Sequence, residues 1–363
     1  MRRALILAAI LLTAGGSAAA PLKGPGELVA MSATTGAVVS GFPRIPSGQV
    51  YAIADDGRGG WYVAGSFQTI GGVRCPNLAH VTAGVSKTVD HSWCPRPNGT
   101  IRALLRVGST LYVGGEFLHR IAGKTREGLA AFDTRSGALT PWNPGLSGLD
   151  DAAYDLADDA KGTRVYVEGS FEKLGGARRT NLGAVSATTG RATSFAPNPD
   201  EDQHGDSVEA FAVGPHAVYA WGAFSKIGGK ASDGQVALDP ATGRQLAGWH
   251  PHLNGLAYAA AVHGSQVLVA GPGLVALDGK TGAKRWSERT GKDFVGALAI
   301  SGSRVYASVE SDHFSSVPHR FVGYDLGTHR AVWHGKVSFV GFVNAIAASG
   351  PLVVVGGSSS SGG

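Results

Sequence analysis

Seven short apolar segments of the chain share a form in which one variable residue stands between apolar neighbours. In VYAIA (50–54) and VEAFA (208–212), for example, this second residue is Tyr51 or Glu209. Phenol, carboxylate, guanidinium and amide groups gathered at one place could bind a small polar ligand or a saccharide, and the alternative is a water-filled opening without a ligand. The predicted ligand-binding residues are Tyr51, Arg102, Tyr154, Glu209, Tyr258 and Asn344, and Gly296 has the equivalent place in one further segment.

Cationic residues recur in the loops that follow a repeated G-x-F sequence, and we predict that they form a basic collar. Such a collar would contact an anionic wall polymer or glycan, and a solvated surface is the alternative. The formal net charge of +5 is a mild excess that selects no partner by itself. Because aromatic residues do not alternate with these cations, the sequence argues against a nucleic-acid partner. The collar residues are Arg74, Lys124, Arg126, Arg178, Arg179 and Lys230, with Arg120, Lys173 and Lys226 in the same loops.

One acidic segment, DEDQHGD (200–206), carries oxygen ligands at alternate positions. Asp200, Asp202 and Asp206 could hold calcium. However, His204 stands where an oxygen ligand is expected, and no carboxylate stands at the twelfth position of the loop. Calcium is therefore a weak candidate, and the sequence predicts no resident metal ion.

Motifs for catalysis are scarce in this chain. It lacks a G-x-S-x-G elbow, an H-E-x-x-H helix motif and a phosphate-binding loop. His250 and His252 could ligate a metal ion from one strand face, but Pro251 between them favours a structural role. Asp155 and Glu209 could approach each other as a glycosidase carboxylate pair. These observations favour a binding protein, and an enzyme stays the alternative.

A longer repeat predicts the elements that position these residues. WYVAGSFQTIGG (61–72), LYVGGEFLHRIAG (111–123), VYVEGSFEKLGG (165–176) and VYAWGAFSKIGG (218–229) each indicate an apolar strand followed by a glycine, a phenylalanine and a polar loop. Repetition at intervals of about 50 residues is typical of a repeated supersecondary unit. The 55 glycines among 363 residues fit many tight turns between short strands.

Each unit is predicted to be a meander of four antiparallel strands. The segment with the variable residue is the first strand and the repeated G-x-F sequence ends the second. The third strand ends in a turn that Asp or Ser opens and Gly closes, as in LAAFDTRSG (129–137). An aromatic residue near the end of the fourth strand would wedge between units. These aromatic residues are Phe42, Trp93, Trp142, Phe195, Trp249, Trp286 and Trp333.

The two ends of the chain supply complementary halves of one unit. Residues 28–42 have the pattern of a third and a fourth strand, and residues 343–357 have that of a first and a second. Pairing of these halves would close a ring of units. We therefore predict an all-β fold, a single seven-bladed β-propeller of four-stranded blades over residues 21–357, whose last blade is split between 27–45 and 342–357.

The N terminus has the pattern of an export signal. Two arginines and the apolar run ALILAAILLTAGG (4–16) predict a signal peptide over residues 1–20. No second apolar segment of spanning length follows, so we expect a secreted monomer with a flexible tail at 358–363. Export favours a disulfide between Cys75 and Cys94, which would contribute about 3 kcal/mol in the chain-entropy view.

The run that begins LYVGGEF and ends GLAAFDTRSGALTPWNP (111–144) resembles the delta-60-type propeller repeats of secreted proteins. The run LVALDGKTGAKRW (274–286) is similar to the broader class of quinoprotein-type propellers, in which this pattern docks sheets without implying a quinone. The resemblance implies a propeller and no single activity. The expected function is a secreted binding or scaffold module for a polar or anionic saccharide, a cell-envelope component or a protein partner. The alternative is a quinoprotein- or lyase-type enzyme at the channel mouth, with PQQ or calcium as the cofactor to consider.

Overall fold

The structure is a computed structural model, and it describes residues 28–84, 87–148, 150–200, 208–311, 319–337 and 341–358. Every element of regular secondary structure in these ranges is a β-strand, so the predicted all-β class is confirmed. The same ranges contain no helix with the length and apolarity that a membrane crossing requires. The predicted signal peptide, Asp202, Asp206 and the tail beyond Ser358 lie outside the described residues.

Short strands follow one another along the described chain and are joined by turns and small hairpins. In chain order they are β1 Leu28–Ser32, β2 Val38–Val39, β3 Val50–Asp55, β4 Trp61–Gly65, β5 Thr69–Ile70, β6 Val73–Arg74, β7 Leu78–Val81, β8 Thr100–Val107, β9 Thr110–Glu116, β10 Arg120–Ile121, β11 Lys124–Thr125, β12 Leu129–Asp133, β13 Leu146–Ser147, β14 Ala152–Asp158, β15 Arg164–Ser170, β16 Lys173–Leu174, β17 Ala177–Arg178, β18 Leu182–Ser186, β19 Ala210–Val213, β20 Val218–Trp221, β21 Lys226–Ile227, β22 Lys230–Ala231, β23 Gln235–Leu238, β24 Ala259–His263, β25 Gln266–Ala270, β26 Gly273–Asp278, β27 Lys284–Arg289, β28 Phe294–Ser301, β29 Arg304–Glu310, β30 His319–Asp325, β31 Ala331–Val337, β32 Val343–Ser349 and β33 Leu352–Gly357.

Most strands assemble into antiparallel sheets of three or four strands. In one of these sheets the first strand of the described chain pairs with the last one, with Ala30 opposite Val354. The predicted pairing of the two chain ends is therefore observed. Seven of these sheets have the strand orders β3-β4-β7, β8-β9-β12, β14-β15-β18, β19-β20-β23, β24-β25-β26-β27, β28-β29-β30-β31 and β2-β1-β33-β32. A further small sheet of three strands has the order β13-β16-β17.

The predicted fourth strand is reduced to a single bridge in several sheets. In the sheet β8-β9-β12, Phe132 pairs with Leu139, and the chain then leaves the ladder before Pro141. Proline has no backbone N–H with which to continue a ladder, so a strand that approaches it ends early. The four-stranded prediction is thus corrected for these sheets. The bridges of this kind are Val81–Val89, Phe132–Leu139, Val185–Ala192 and Leu238–Gln245.

The loop after each repeated G-x-F sequence contains a two-stranded hairpin, which the sequence interpretation as a polar loop had missed. These hairpins are β5–β6, β10–β11, β16–β17 and β21–β22. In the first, φ is 56° at Gly71 and 79° at Gly72. A type I′ turn requires positive φ at both central residues, and glycine adopts it without a steric penalty. Ala122, with φ of 49°, stands at the first central position of the second hairpin.

Aromatic residues join neighbouring sheets, as the sequence predicts. The ring of Trp142 meets the ring of Tyr112 edge-on with 5.0 Å between centroids. Its Nε1 donates a hydrogen bond to the carbonyl oxygen of Ser186 in the next sheet at 3.0 Å. Trp333 links β31 to the N-terminal strand in the same way, through the Ser32 carbonyl oxygen at 2.8 Å. The wedge function is confirmed at both positions.

One copy of the repeat has an extra residue that shifts its core position. Phe117, which the G-x-F alignment places in the core with Phe67 and Phe171, is 55% exposed. The chain passes through a positive φ of 52° at Phe117, and Leu118 is fully buried in its place. The core therefore accepts a leucine here, and a phenylalanine lies on the surface.

Candidate functional site

A cavity of about 1100 Å³ lies where the first strands of the sheets meet. Strand β3 contacts β8 and β32, and contacts continue in succession through β14, β19, β24 and β28. Residues that are far apart in the sequence therefore share one cavity. All the residues predicted from the variable position line it, namely Tyr51, Arg102, Tyr154, Glu209, Tyr258 and Asn344, together with Gly296.

The variable residues lie at irregularities of the first strands. In β14 the ladder pairs Ala153 with Gly169 and Asp155 with Glu168, so Tyr154 is an extra residue between them. A β-bulge of this kind bends its strand and redirects the side chain of the extra residue. The equivalent extra residues of β3, β8 and β32 are Tyr51, Arg102 and Asn344.

Glu209 and Tyr258 lie just before β19 and β24 and make a similar irregularity. The backbone N–H of Glu209 donates to the carbonyl oxygen of Trp221 at 2.8 Å, although Trp221 already pairs with Ala210. The N–H of Tyr258 donates to the carbonyl oxygen of Ala270 at 2.9 Å in the same arrangement. The bulge is thus a common device of these first strands, and sequence reasoning did not foresee it.

The glycine of the repeated G-x-F sequence makes room for the bulge. A Cβ atom on Gly65 would lie 1.8 Å from the carbonyl oxygen of Gln49, and one on Gly169 would lie 2.0 Å from that of Ala152. Both distances are far shorter than a van der Waals contact, so a side chain at either place would force the two strands apart. The repeated glycine of the second strand therefore supports the position of the variable residue in the first.

Acidic side chains outnumber basic ones in the mostly apolar wall of the cavity. Among the described residues that line it, seven carry a carboxyl group and Arg102 alone carries a basic group. In a recess with low-dielectric walls, such an excess attracts cations and disfavours anions. An anionic saccharide, one of the ligands expected from the sequence, therefore does not match the charge of this cavity. The carboxyl residues are Glu116, Asp150, Asp155, Asp158, Glu168, Glu209 and Glu310.

The guanidinium group of Arg102 is already paired within the wall. Its Nε donates to Oε2 of Glu116 at 2.7 Å, and the two side chains form a salt bridge. Its Cζ atom lies 4.0 Å from the ring centroid of Tyr51 and 6.0 Å from that of Tyr154, which are cation–π distances. One carboxylate and two rings thus hold a positive group on this side of the cavity.

A second aromatic group lies on β28 and at the entrances of β24 and β32. The ring centroids of Tyr258 and Phe294 are 5.3 Å apart, and those of Phe294 and Phe342 are 6.3 Å apart. Burial, followed by the charge of Glu209, raises the pKa of the Tyr258 hydroxyl. Sequence reasoning missed both phenylalanines, although the shared pattern F-V-x-A at 294–297 and 342–345 could have indicated them.

Glu310 is a further wall residue that sequence reasoning missed. It is 2% exposed, and burial raises its pKa to about 7. Its Oε1 accepts a hydrogen bond from Ser308 Oγ at 2.9 Å, and its Oε2 accepts one from the backbone N–H of Val343 at 3.1 Å. A Cβ atom on Gly296 would lie 2.2 Å from Oε1. Gly296 thus leaves room for a carboxyl from the neighbouring strand. Its presence at a position that is otherwise polar or aromatic was the sequence signal that could have indicated Glu310.

Two predicted collar residues are tied to the backbone and do not join an exposed surface. Arg126 is half-buried, and its guanidinium donates to the carbonyl oxygen of Thr140 at 2.8 Å. Arg179 is also half-buried and donates to the carbonyl oxygen of Phe195 at 2.9 Å. Burial lowers the pKa of both guanidinium groups. These arginines satisfy carbonyl groups beside the aromatic wedges, so their contribution is structural.

The other collar cations are exposed and lie on the small hairpins. In the hairpin β16–β17, Lys173 stands directly opposite Arg178. Like charges in this position destabilise a strand pair, so stability does not explain their presence. The exposed cations of the four hairpins are Arg74, Arg120, Lys124, Lys173, Arg178, Lys226 and Lys230.

The candidate metal ligands that the structure describes, Asp200, His250 and His252, contact other groups of the protein. Asp200 accepts hydrogen bonds from the backbone N–H groups of Ser225 and Lys226, at 2.9 Å and 2.7 Å, and so orders the entrance to the hairpin β21–β22. The rings of His250 and His252 are stacked with centroids 6.3 Å apart. Across the described ranges, no group of three or more His, Cys, Asp or Glu residues is arranged to hold a metal ion.

Cys75 and Cys94 form the predicted disulfide, with their Cα atoms 5.3 Å apart. The bridge joins the end of β6 to the segment that precedes β8. It therefore fixes the base of the hairpin that carries Arg74, and the sequence-based prediction of this bond is confirmed.

The charge of the cavity also bears on the quinone alternative. Pyrroloquinoline quinone carries three carboxyl groups, so a site for it needs basic groups that balance them. Of the described wall residues, only Arg102 is basic, and Glu116 already pairs with it while six further carboxyls line the same space. The residues present do not fit this cofactor.

Comparisons with known proteins bear on the fold. Residues 232–361 match the PQQ_2 family, described as outer membrane protein assembly factor BamB, and no curated protein matches the chain. The crystal structure of the computationally designed Ika8 protein is similar with a TM-score of 0.52 and 15% identity, over 86% of this chain and 94% of that one. Kuenenia stuttgartiensis hydrazine synthase is similar with a TM-score of 0.40 and 16% identity, over 56% of this chain and 53% of that one. The later units are thus similar to a PQQ-type repeat, and the antiparallel sheets are consistent with a propeller of that type.

Proposed function

We propose that this protein is a secreted seven-bladed β-propeller that serves as a binding or scaffold module outside the cell, and that its hairpins hold an anionic polysaccharide. The observation that carries the proposal is the set of seven exposed lysines and arginines on four successive hairpins. The opposite charge of the cavity directs a polyanion to the hairpins and away from the channel.

Three observations support the propeller. Strands β1 and β33 share a sheet, the first strands contact one another in succession with β32 against β3, and the later units match a PQQ-type repeat. The sheets connected in this way would be the seven blades of one domain over residues 21–357. One blade would combine residues 27–45 with residues 342–357.

The export pattern over residues 1–20 supports secretion. The disulfide between Cys75 and Cys94 is compatible with it, because such bonds persist in oxidising compartments.

A polymer suits the hairpins better than a small anion does. Each hairpin follows the second strand of its sheet, so in a ring the hairpins of neighbouring units would lie on the same face. One exposed ion pair contributes at most about 1 kcal/mol. A polyanion contacts several hairpins at once, and binding at one raises its effective concentration at the next. A chain with regularly spaced negative charge is therefore the ligand class that fits.

A dextran sulfate column tests this proposal. The mature protein should be retained at low salt and elute as the ionic strength rises, because exposed charges are screened. A variant with Lys173→Glu and Arg178→Glu should elute at clearly lower salt.

The matched control carries Arg135→Glu and Lys161→Glu. Both residues are exposed, and each lies in a turn at the end of its sheet that is away from the hairpins. It has the same net charge as the hairpin variant and should elute near the unmodified protein. Equal shifts for both variants would show that only net charge matters and would overturn the hairpin site.

The enzymatic alternative makes a separate prediction. A quinoprotein should gain dye-linked oxidase activity when quinone and calcium are added, whereas a binding module should not. The cavity wall described above, with its excess of carboxyls, favours the second outcome.

A further inference from the structure

A phenylalanine lies on the surface beside the hairpin β10–β11, in a strained backbone conformation. Among the aromatic side chains that the structure describes, only that of Phe117 is exposed, at 55%. Its φ of 52° lies in the left-handed region, which a bulky side chain rarely adopts. A single exposed apolar residue needs no explanation by itself, but one that also strains the backbone points to a function.

Phe117 is the extra residue of its repeat. The N–H of Gly128 donates to the carbonyl oxygen of Leu118 at 2.8 Å. In the first unit, the N–H of Asn77 donates in the same way to the carbonyl oxygen of Phe67, at 2.9 Å. Leu118 therefore has the place of Phe67, and it is fully buried there. Because Leu118 fills the core, the core of this unit does not need the ring of Phe117.

The hydrogen bonds around Phe117 hold its backbone in place. Oδ1 of Asn98 accepts from the backbone N–H groups of His119 and Arg120, at 3.0 Å and 2.7 Å. Leu118, between Phe117 and these residues, is anchored in the core. A strained residue persists only where its surroundings determine its conformation, and these contacts do so. The ring is therefore presented by a fixed backbone, and a ligand that contacts it loses little free energy in ordering it.

The ring lies close in the chain to cations that are expected to hold a polyanion. Strand β10 begins three residues after Phe117, and the hairpin β10–β11 exposes Arg120 and Lys124. A sulfated or carboxylated sugar chain combines negative groups with rings whose C–H faces are apolar. An aromatic ring attracts such C–H groups through its negative face. Exposed cations and a fixed exposed ring thus match the two parts of one ligand.

We propose that Phe117 stacks on a sugar ring of the bound polysaccharide and selects a saccharide polyanion over other polyanions of similar charge. This inference rests on the proposed function, because the hairpin cations must hold the chain before a ring can stack. The cations supply an attraction that every polyanion shares. Phe117 adds a contact that a polymer without sugar rings does not make.

Two polymers with the same charged group separate these contributions. Dextran sulfate carries its sulfates on sugar rings, and poly(vinyl sulfate) carries them on a hydrocarbon chain. Phe117→Asn removes the ring and introduces a residue that tolerates a positive φ. In calorimetric titration at low salt, it should weaken dextran sulfate binding about fivefold or more, the scale of an aromatic interface anchor. Its binding to poly(vinyl sulfate) should equal that of the unmodified protein.

A second variant and a control locate the effect in the ring. Phe117→Leu keeps an apolar side chain without a ring, and it should also weaken dextran sulfate binding severalfold. Val332→Thr is the matched control, because Val332 is an apolar residue with 46% exposure on the outer strand β31, in a sheet that carries none of the four hairpins. It should leave the binding of both polymers unchanged.

The melting temperature separates a binding residue from a structural one. Phe117→Asn should shift it by less than about 2 °C, since relief of strain offsets the lost contacts of a half-exposed ring. Leu118→Ala should lower it by about 3 °C or more, because it leaves a cavity in the core. A loss from Phe117→Asn as large as that from Leu118→Ala would show that the ring belongs to the core and would overturn the inference.

The remaining outcomes distinguish this inference from the proposed function. If neither polymer binds the unmodified protein, or if Lys173→Glu with Arg178→Glu weakens neither, the proposed function fails and the stacking residue fails with it. If both polymers bind as proposed, the inference alone is overturned by Phe117 variants that leave dextran sulfate binding unchanged, weaken both polymers equally, or behave as Val332→Thr does.

Discussion

The hairpins and the cavity arise from the same repeat but carry opposite charge. In the third unit, the bulge places Tyr154 in the cavity wall, and the following hairpin exposes Lys173 and Arg178. Among the described residues, the wall has seven carboxyls and one guanidinium, whereas the hairpins present seven cations. The modest overall charge of +5 therefore hides two regions with opposite preferences. Salt should weaken polyanion binding at the hairpins, because exposed charges are screened.

The largest expected loss of stability comes from a substitution beside the cavity wall and not in the hairpins. Gly169→Ala would place a Cβ atom 2.0 Å from the backbone carbonyl oxygen of Ala152, and the bulge beside Tyr154 cannot form without moving a strand. We expect a loss of more than about 3 kcal/mol in the free energy of unfolding, measured by urea denaturation.

Gly176→Ala is the control on the hairpin side. Gly176 has a φ of +83° and no heavy atom within 4 Å of a built Cβ, so the substitution introduces backbone strain without a clash. It should cost only about 1–2 kcal/mol. Equal losses for the two substitutions would contradict the supporting function that we assign to the repeated glycine.

The second largest expected effect is a pH dependence of stability, which comes from Glu310 in the cavity wall. Burial raises the pKa of Glu310 from 4.5 to about 7, so the folded protein binds this proton more tightly than the unfolded chain does. Stability from this group is therefore fully present below about pH 4.5 and is lost as the pH rises through about 7. The loss should amount to about 3 kcal/mol.

Chemical denaturation of the unmodified protein and of Glu310→Gln across this pH range measures the contribution. The difference in the free energy of unfolding between the two proteins should change with pH in the direction stated above. A difference that stays constant from pH 4 to pH 8 would show that Glu310 titrates normally.

The smallest effect lies in the hairpins. Ala122 has a φ of 49° in a turn whose equivalents are Gly71 and Gly175. Ala122→Gly relieves strain but increases the freedom of the unfolded chain, so a net gain of about 0.5 kcal/mol is expected. The melting temperature should rise slightly. A lower melting temperature would mean that the alanine makes contacts that outweigh its strain.

Much of the fold could be predicted because it depends on short-range patterns. The turn that Asp133 opens and Gly137 closes forms as predicted, with Asp133 Oδ1 accepting from the backbone N–H of Ser136 at 2.8 Å and φ of 71° at Gly137. The sequence also contains a signal for the hairpin turns, since the pair Gly71 and Gly72 is typical of a type I′ turn. However, the strands beside this turn are only two residues long. Such short strands leave no alternation that could be recognised.

The candidate site was predicted in part. The variable position identified Tyr51, Arg102 and the related residues correctly as neighbours of one cavity, because the repeat makes them equivalent. Glu310 was not predicted because it lies on β29, the strand beside β28, and occupies the space that Gly296 leaves open. Arg126 and Arg179 looked like surface cations because the sequence does not tell which guanidinium will meet a backbone carbonyl.

The amino-acid sequence by itself determined the repeated strand pattern, the turns, the disulfide and the complementary chain ends, since each depends on residue types at fixed spacing. Tertiary structure alone decided the charge of the cavity, because its carboxyls come from several sheets that meet only after folding. It also decided which residues point inwards, since a bulge and the glycine opposite it set that direction, and the two belong to different strands.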